Sequence, residues 1–386
     1  MKVLVITNLA PIRNNPVAGT FVLKRLEQYT KSGVDYSAVS IGFEDTWVTK
    51  LARKILRKSL GTPLNQMGRV IFTPILLRMR PVSYKRLIRE CSQRIESLFE
   101  VSEFDVIHAH GMYSIPAGEI AYLLAKKYDK PFVVTLHGSD VNLFMPKRKE
   151  RYIEVLENAA RCIFVSRALL EKAKSFGYSG QNAAVIPNGY DPDVFKPMDK
   201  NTVRKELGIY KENTHYVGFV GNLIPIKRAD KLPEIFGKIS KELPNSRFII
   251  VGDGTLRDKI LKEMEGLDVV FAGRVPQVKV ARYMNAMDVM VLPSRNEGWP
   301  CVVLEAQACG TCVIGSSNGG IPEAIGFDEY VVEEGESFED RFAKRVVEVL
   351  KKGYNKNILI ERAKSFNWEK TVKREIEVYY QAPWPM

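Results

Sequence analysis

The sequence predicts an α/β protein made of two doubly wound parallel-sheet domains in tandem. Three observations predict it. Short apolar runs rich in Val and Ile alternate with amphipathic segments, the pattern of strands buried on both faces and joined by crossover helices. The alternation is broken by the turn-rich stretch Ile186-Pro-Asn-Gly-Tyr-Asp-Pro-Asp-Val-Phe-Lys-Pro197 and then begins again. Glycine turns follow several of the strands, where such sheets bind their ligands. These features place domain one at 1–195 and domain two at 196–367. The segment 368–386 lies beyond the last strand and is expected to pack back on domain one. A length of 386 residues suits this division.

The elements follow in order. Strands are expected at Lys2–Thr7, Tyr36–Ile41, Val70–Pro74, Asp105–Ala109, Phe132–Leu136, Cys162–Val165 and Ala183–Ile186, with helices such as Thr20–Lys31, Ser83–Leu98 and Ile115–Tyr128 between them. The second set is Tyr216–Val220, Phe248–Val251, Val269–Ala272, Val289–Leu292 and Cys312–Gly315, closed by a helix at Trp368–Gln381. Two such sheets are expected to share a cleft into which the loops at their carboxyl ends converge.

Composition narrows the classes. No apolar run reaches the roughly 20 residues that span a bilayer, and the opening Met1-Lys-Val-Leu-Val-Ile-Thr7 reads as a buried strand and not a signal peptide, so a cytoplasmic location is expected. The five cysteines include a Cys309/Cys312 spacing, but no second pair completes a zinc site, and reduced buried thiols are the simpler reading. The net charge of +12 is uneven. Residues 1–200 hold 30 basic and 19 acidic side chains, and residues 50–94 hold 12 basic ones against Glu90 alone, which points to an anionic partner for domain one.

The candidate site residues stand at strand ends. Gly19 opens the first helix after a loop, where backbone N–H groups can meet an anion; a plain strand-to-helix turn is the other reading. No GxGxxG follows, and Gly252-Asp-Gly254 lacks the third small residue, which argues against a dinucleotide fold. In Thr135-Leu-His137-Gly-Ser-Asp140, His137 is expected to face the cleft with Asp140 aimed the same way, able to bond a sugar hydroxyl or a carbonyl. His108 and His110 share one face, and with no third ligand nearby they read as structural support, so no metal is expected. Gly221-Asn-Leu-Ile-Pro-Ile-Lys227-Arg228 puts a lysine after a glycine turn, which suits a phosphate. Glu297 lies in a loop, Pro300 opens a helix, Glu305 sits in its second turn, and Asn318-Gly-Gly320-Ile-Pro-Glu323 adds another turn. Two carboxylates beside free N–H groups can hold hydroxyls while the helix end takes charge on a diphosphate.

These residues resemble the family-4 retaining glycosyltransferases of the GT-B fold over nearly the whole chain. The resemblance rests on Asp105-Val-Ile-His-Ala-His110, the His137-Gly-Ser-Asp loop, Val165-Ser166, Ile186-Pro-Asn-Gly189, Gly221 to Lys227, Gly252-Asp-Gly254, Gly273-Arg-Val275, Pro293-Ser294, Glu297 with Glu305 at the E-x7-E spacing, and Gly319-Gly320-Ile-Pro-Glu323. The wording is most like bacterial enzymes of teichuronic-acid and exopolysaccharide assembly. The resemblance implies a nucleotide-sugar donor, UDP-linked by the family's habit, a metal-independent reaction and no cofactor. It implies that Gly19 approaches the diphosphate, His137 contacts the donor sugar and Lys227 neutralises the leaving phosphate. Glu297 with the backbone of Gly298, Trp299, Pro300 and Cys301 would hold sugar hydroxyls, Glu305 the ribose, and the backbone at Arg274 and Val275 the base. Where the family often has Arg, this chain has Asn222, so Arg228 is the expected source of a second cation.

Val48–Leu60 alternates apolar positions with Lys50, Arg53, Lys54, Arg57 and Lys58, the two-sided pattern of a basic helix that could lie on anionic lipid. A solvated basic face is the competing reading; nucleic acid is not expected, since no reading motif accompanies the charge. The acceptor is therefore expected to be lipid-linked, a polysaccharide or otherwise anionic. Transfer to a small anion such as malate, or a silent sugar-nucleotide-binding scaffold, are the alternatives.

Overall fold

A computed structural model describes residues 1–12, 19–44, 64–67, 69–78 and 83–381. The chain forms two units, one of Met1–Pro187 with Trp368–Met386, the other Asn188–Asn367. The division falls before residue 195, where the sequence places it. Tyr190 bridges Asn367, and the Trp299 indole donates to the Asn188 carbonyl at 3.0 Å, so the start of the connecting stretch is held inside the second unit.

The first unit is an eight-stranded sheet. Its strands are β1 (Lys2–Thr7), β2 (Asp35–Glu44), β3 (Gln66–Met67), β4 (Val70–Arg78), β5 (Val106–His110), β6 (Phe132–Leu136), β7 (Arg161–Phe164) and β8 (Ala183–Val185), in the order β3-β4-β2-β1-β5-β6-β7-β8. All pairings are parallel except the short β3, which runs antiparallel to β4 and has no sequence pattern of its own. Helices α1 (Thr20–Lys31), α2 (Tyr84–Leu98), α3 (Ala117–Tyr128), α4 (Lys149–Asn158) and α5 (Arg167–Ser175) make the crossovers. Val3, Val5, Val106, Val133 and Ile163 are fully or almost fully buried, as strands covered on both faces require. The C-terminal helix, Trp368–Gln381, joins this unit. It packs on α1, and Val372, Val378 and Tyr379 enter the same core as Val22 and Leu26.

The second unit is a six-stranded, wholly parallel sheet. Its strands are β9 (His215–Val220), β10 (Ser246–Val251), β11 (Val269–Gly273), β12 (Val289–Leu292), β13 (Cys312–Ser316) and β14 (Val331–Val332), in the order β11-β10-β9-β12-β13-β14. The helices are α6 (Lys200–Glu206), α7 (Leu232–Glu242), α8 (Arg257–Glu263), α9 (Gln277–Ala286), α10 (Cys301–Ala308), α11 (Ile321–Ile325), α12 (Phe338–Lys352) and α13 (Lys356–Ala363). Val217, Phe219, Phe248, Val291 and Ile314 form the sheet side of its core, met by Phe236 of α7 and Phe342 of α12.

Strand order locates the ligand ends. In the first sheet the chain reverses direction of build between β1 and β5, in the second between β9 and β12. At such switch points adjacent crossovers leave on opposite faces and open a crevice at the carboxyl ends. Between β9 and β12 only Val289–Val217 and Met290–Gly218 stay in register, so these strands part toward that end. No helix among the described residues is long and apolar enough to cross a membrane.

Candidate functional site

The loops after β1, β5 and β6 carry the polar residues of the first unit. Gly19 caps α1 in the left-handed conformation, φ 62°. A Cβ there would lie 1.6 Å from the Leu9 carbonyl oxygen, so only glycine lets the β1 loop fold onto the helix start. The first turn of α1 has no side-chain cap and no acidic residue, which leaves the positive end of its dipole uncompensated.

His137 follows β6 and is partly buried. Phe21, two residues past Gly19, lies against its ring with centroids 4.4 Å apart, and His110 stacks on it at 5.5 Å. Burial, with the nearby charge of Arg25, pushes His137 well below its ordinary 6.5, so it works as a neutral ring. Asp140 does not point the same way as His137. It is fully buried, and its carboxylate accepts the backbone N–H groups of His137 (2.9 Å), Gly138 (2.7 Å) and Val141 (3.0 Å). A short polar side chain at this position satisfies a tight loop's amides better than it serves a ligand. Desolvation nevertheless raises it to about 6.

His108 and His110 are fully buried, and here the structure corrects the expectation of no third ligand nearby. Glu375 of the C-terminal helix brings a carboxylate within 4.8 Å of both rings. That carboxylate is already committed: Arg25 Nε donates to it at 2.8 Å, Tyr29 donates to its other oxygen, and the Tyr379 hydroxyl lies between it and His108 Nδ1. His108 Nε2 meets the Thr135 hydroxyl at 2.7 Å. A buried guanidinium in this cluster opposes a metal cation, so the group reads as the polar clamp that ties the C-terminal helix to the sheet.

In the second unit the loops after β9 and β12 meet. Gly252 and Gly254 let the β10 loop lie directly on the β9 loop: a Cβ on Gly252 would fall 1.9 Å from the Gly221 oxygen, and Leu223 N–H donates to Asp253 O at 3.0 Å. Lys227 sits in the turn that follows. Its ammonium donates to Glu297 Oε1, which also accepts the Ser294 hydroxyl at 2.9 Å. The second glycine turn holds this loop. Gly320 N–H donates to the Glu297 carbonyl at 2.9 Å, and a Cβ on Gly319 would lie 2.3 Å from that oxygen. Cation and carboxylate are thus brought to one point at the β9/β12 crevice.

Glu305 is on α10, partly buried, and burial with the Asp191 charge raises it to about 7. The first turn of α10 has no side-chain cap and no acidic residue. Pro300 stands at the position just before this helix without capping it, and the helix begins at Cys301, one residue later than expected. The Trp299 side chain turns inward onto Asn188 and Phe366, so Gly298 to Cys301 offer backbone there, not the indole. Asn222 is exposed in the β9 loop, and Arg274 and Val275 follow β11, with Arg274 exposed. Arg228 departs from expectation. It is buried in the left-handed conformation, its Nη2 pairs with Glu334 at 2.9 Å and its guanidinium lies over the Phe338 ring, while Nη1 is buried without a hydrogen-bond partner among the described residues. Lys50, Arg53, Lys54, Arg57 and Lys58 lie outside the described residues.

Sequence reasoning missed the supports. Arg295 binds Asp230 through both terminal guanidinium nitrogens, at 2.8 and 2.9 Å, and its backbone N–H donates to Ile226 O at 2.8 Å, fastening the Lys227 turn to the Glu297 loop. Asn318 donates to Ser294 O at 3.1 Å and to Glu334. No short-range pattern signals either contact.

Two parallel-sheet units with polar loops at their switch points define the GT-B class of fold, and solved structures agree. The chain matches HepE of Anabaena, solved in complex with UDP, with a TM-score of 0.73 at 18% identity, over 99% of this chain and 100% of that one. It matches sucrose-phosphate synthase of Thermosynechococcus elongatus with a TM-score of 0.73 at 17% identity, over 99% of each. Residues 46–194 match the family model described as Glycosyltransferase Family 4, and residues 214–352 the one described as Glycosyl transferases group 1. The chain therefore belongs to the family-4, group-1 glycosyltransferases and is an enzyme of that class. Among sequence relatives, TuaC of Bacillus subtilis, named for teichuronic acid biosynthesis, is 27% identical over 343 residues, 86% of this chain and 85% of its own. The N-acetyl-alpha-D-glucosaminyl L-malate synthase of Bacillus anthracis is 28% identical over 304 residues, 75% and 78% of the two chains.

Proposed function

We propose that the enzyme transfers a sugar from a UDP-linked donor to an acceptor of cell-envelope polysaccharide or glycolipid synthesis, with retention at the anomeric carbon and without a metal. The observation that carries this reading is the Lys227–Glu297 pair at the β9/β12 crevice, beside the uncapped start of α10. Diphosphate departure needs positive charge where the oxygen charge develops, and sugar hydroxyls need a fixed acceptor. Lys227 and the α10 amides supply the first, Glu297 the second, and Glu305 an acceptor for a ribose diol. The acceptor hydroxyl attacks on the face the phosphate leaves. The bond from the anomeric carbon to the phosphate oxygen breaks, the bond to the acceptor oxygen forms, and the hydroxyl proton passes to the departing phosphate.

The UDP bound in HepE supports the nucleotide, and TuaC supports the acceptor class. The excess of basic residues in 50–94 supports an acceptor presented at an anionic membrane face. The malate synthase likeness favours a second reading, transfer to a small anionic acceptor. A thermal-shift panel of UDP-, GDP- and ADP-sugars tests the donor, with stabilisation expected from UDP-sugars alone. Glu297→Ala and Lys227→Ala should each lower UDP release by at least about 100-fold, the scale of a lost transition-state contact, with an unchanged melting temperature. Wild-type turnover in either folded variant refutes the site. Flotation with anionic but not neutral vesicles separates the membrane acceptor from the small one.

A further inference from the structure

Every cation in the two segments that meet at the β9/β12 crevice already holds a carboxylate. In the turn after β9, Lys227 donates to Glu297, Arg228 pairs with Glu334, and Lys231 pairs with Glu234. In the loop after β12, Arg295 pairs with Asp230. A diphosphate that takes a cation from these segments must draw it away from an acid.

The four pairs do not yield equally. Arg295 grips both oxygens of Asp230, and Arg228 is buried against the Phe338 ring. Lys231 is shared between Glu234 and Glu339. Lys227 meets a single oxygen of one carboxylate through a point charge on a flexible stem, and its side chain keeps 23% exposure. It is the cation that turns away at least cost. The segments themselves stay fastened by Arg295, through Asp230 and through its backbone N–H to Ile226 O, so the exchange is a rotation of the lysine stem. Glu297 does not follow, because its Oε1 also accepts the hydroxyl of the fully buried Ser294. The lysine therefore leaves behind a carboxylate only 11% exposed and without its counter-charge, which is costly unless new donors meet it. Sugar hydroxyls are such donors. A bare terminal phosphate is not; it brings a further negative oxygen, ionising at about 6, to the same point.

We infer that the Lys227–Glu297 pair is a latch that selects a sugar nucleotide over the bare nucleoside diphosphate. Glu297 yields Lys227 to the diphosphate when sugar hydroxyls replace the ammonium, and takes it back when the sugar has gone, which speeds product release. The inference rests on the transferase reading above for the class of ligand. Calorimetric titration of the full chain with UDP alone tests it. Glu297→Gln keeps an acceptor for Ser294 but no charge for Lys227. It should bind UDP about 5- to 10-fold tighter than the wild-type protein, the scale of one partly exposed ion pair. Glu297→Ala should show a gain in the same direction, so one folded variant is enough. Adding Lys227→Met to Glu297→Gln should remove the gain. A gain that survives the loss of Lys227 overturns the inference. UDP binding that is unchanged or weaker in a folded Glu297 variant ends the latch and leaves the UDP-linked donor standing, whereas no UDP binding to any form refutes both.

Discussion

At the scale of single residues, the site depends on side chains that never touch a substrate. Asp140 is the clearest. It sits three residues past His137 and spends its carboxylate on the amides of His137, Gly138 and Val141. Removing an acceptor from several buried donors leaves each of them without water or partner. Asp140→Ala should therefore cost on the order of 3 kcal/mol in urea unfolding and lower turnover through a displaced His137. Asp140→Asn should cost about 1 kcal/mol, because an amide oxygen placed at Oδ1 still accepts. Equal losses for the two variants would mean that charge, not the loop's hydrogen bonds, is what the position supplies. Its placement just beyond the His137-Gly turn suggested a ligand-facing group; its burial shows why a short acid belongs there.

At the scale of elements, the strand-end loops of the second unit behave as one clasp. The turn carrying Lys227 and the loop carrying Glu297 are joined by the bidentate Arg295–Asp230 pair as well as by their own ion pair. The pair holds Arg295 above and Asp230 below their ordinary ionisation ranges. Planar two-point contacts of this kind fix geometry. Arg295→Ala and Asp230→Ala should each lower kcat/KM by roughly 10- to 100-fold, a displacement effect, while the double variant is hardly worse than either single one. Additive losses would separate Arg295 from Asp230.

This clasp also marks the limit of what the sequence discloses. The strands were legible because apolar runs bounded by turn residues have few other uses. Lys227, Glu297, Glu305 and Gly19 were legible because each lies within a few residues of a glycine or proline that bends the chain at a strand end. Arg295 and Asp230 are 65 positions apart, and Arg25 and Glu375 are 350 apart, so no local pattern pairs them. Arg228 misled for the same reason: adjacency to Lys227 implied a shared role, but its partner Glu334 lies 106 positions away.

At the scale of the whole molecule, the two units carry buried ionisable groups of opposite kind. The first unit holds three neutral histidines. His108 is lowered to about 4, and His110 and His137 fall well below 6.5, chiefly through burial. Between pH 6.5 and 4.5 the unfolded unit takes up protons that the folded unit refuses, so its stability falls on acidification. Asp140, held protonated to about 6, offsets one of these protons. The remaining difference approaches two protons, or about 2.7 kcal/mol per pH unit at most. The second unit holds Glu305, raised from 4.5 to about 7. There the folded state binds the extra proton, so stability rises on acidification from pH 7 to 4.5, by at most about 1.4 kcal/mol per pH unit and less for its partial exposure. Native-state hydrogen exchange should show these slopes in separate peptides. Protection of Phe132–Leu136 should drop as pH falls from 6.5 to 5, after correction for intrinsic exchange, while protection of Ser246–Val251 holds or rises. Glu305→Gln should flatten the second trend and leave the first alone, because the substitution removes the only strongly raised carboxyl among the described residues of that unit. Parallel trends in the two peptides, or a Glu305→Gln effect on both, would show that the units do not unfold by their own separate proton balances.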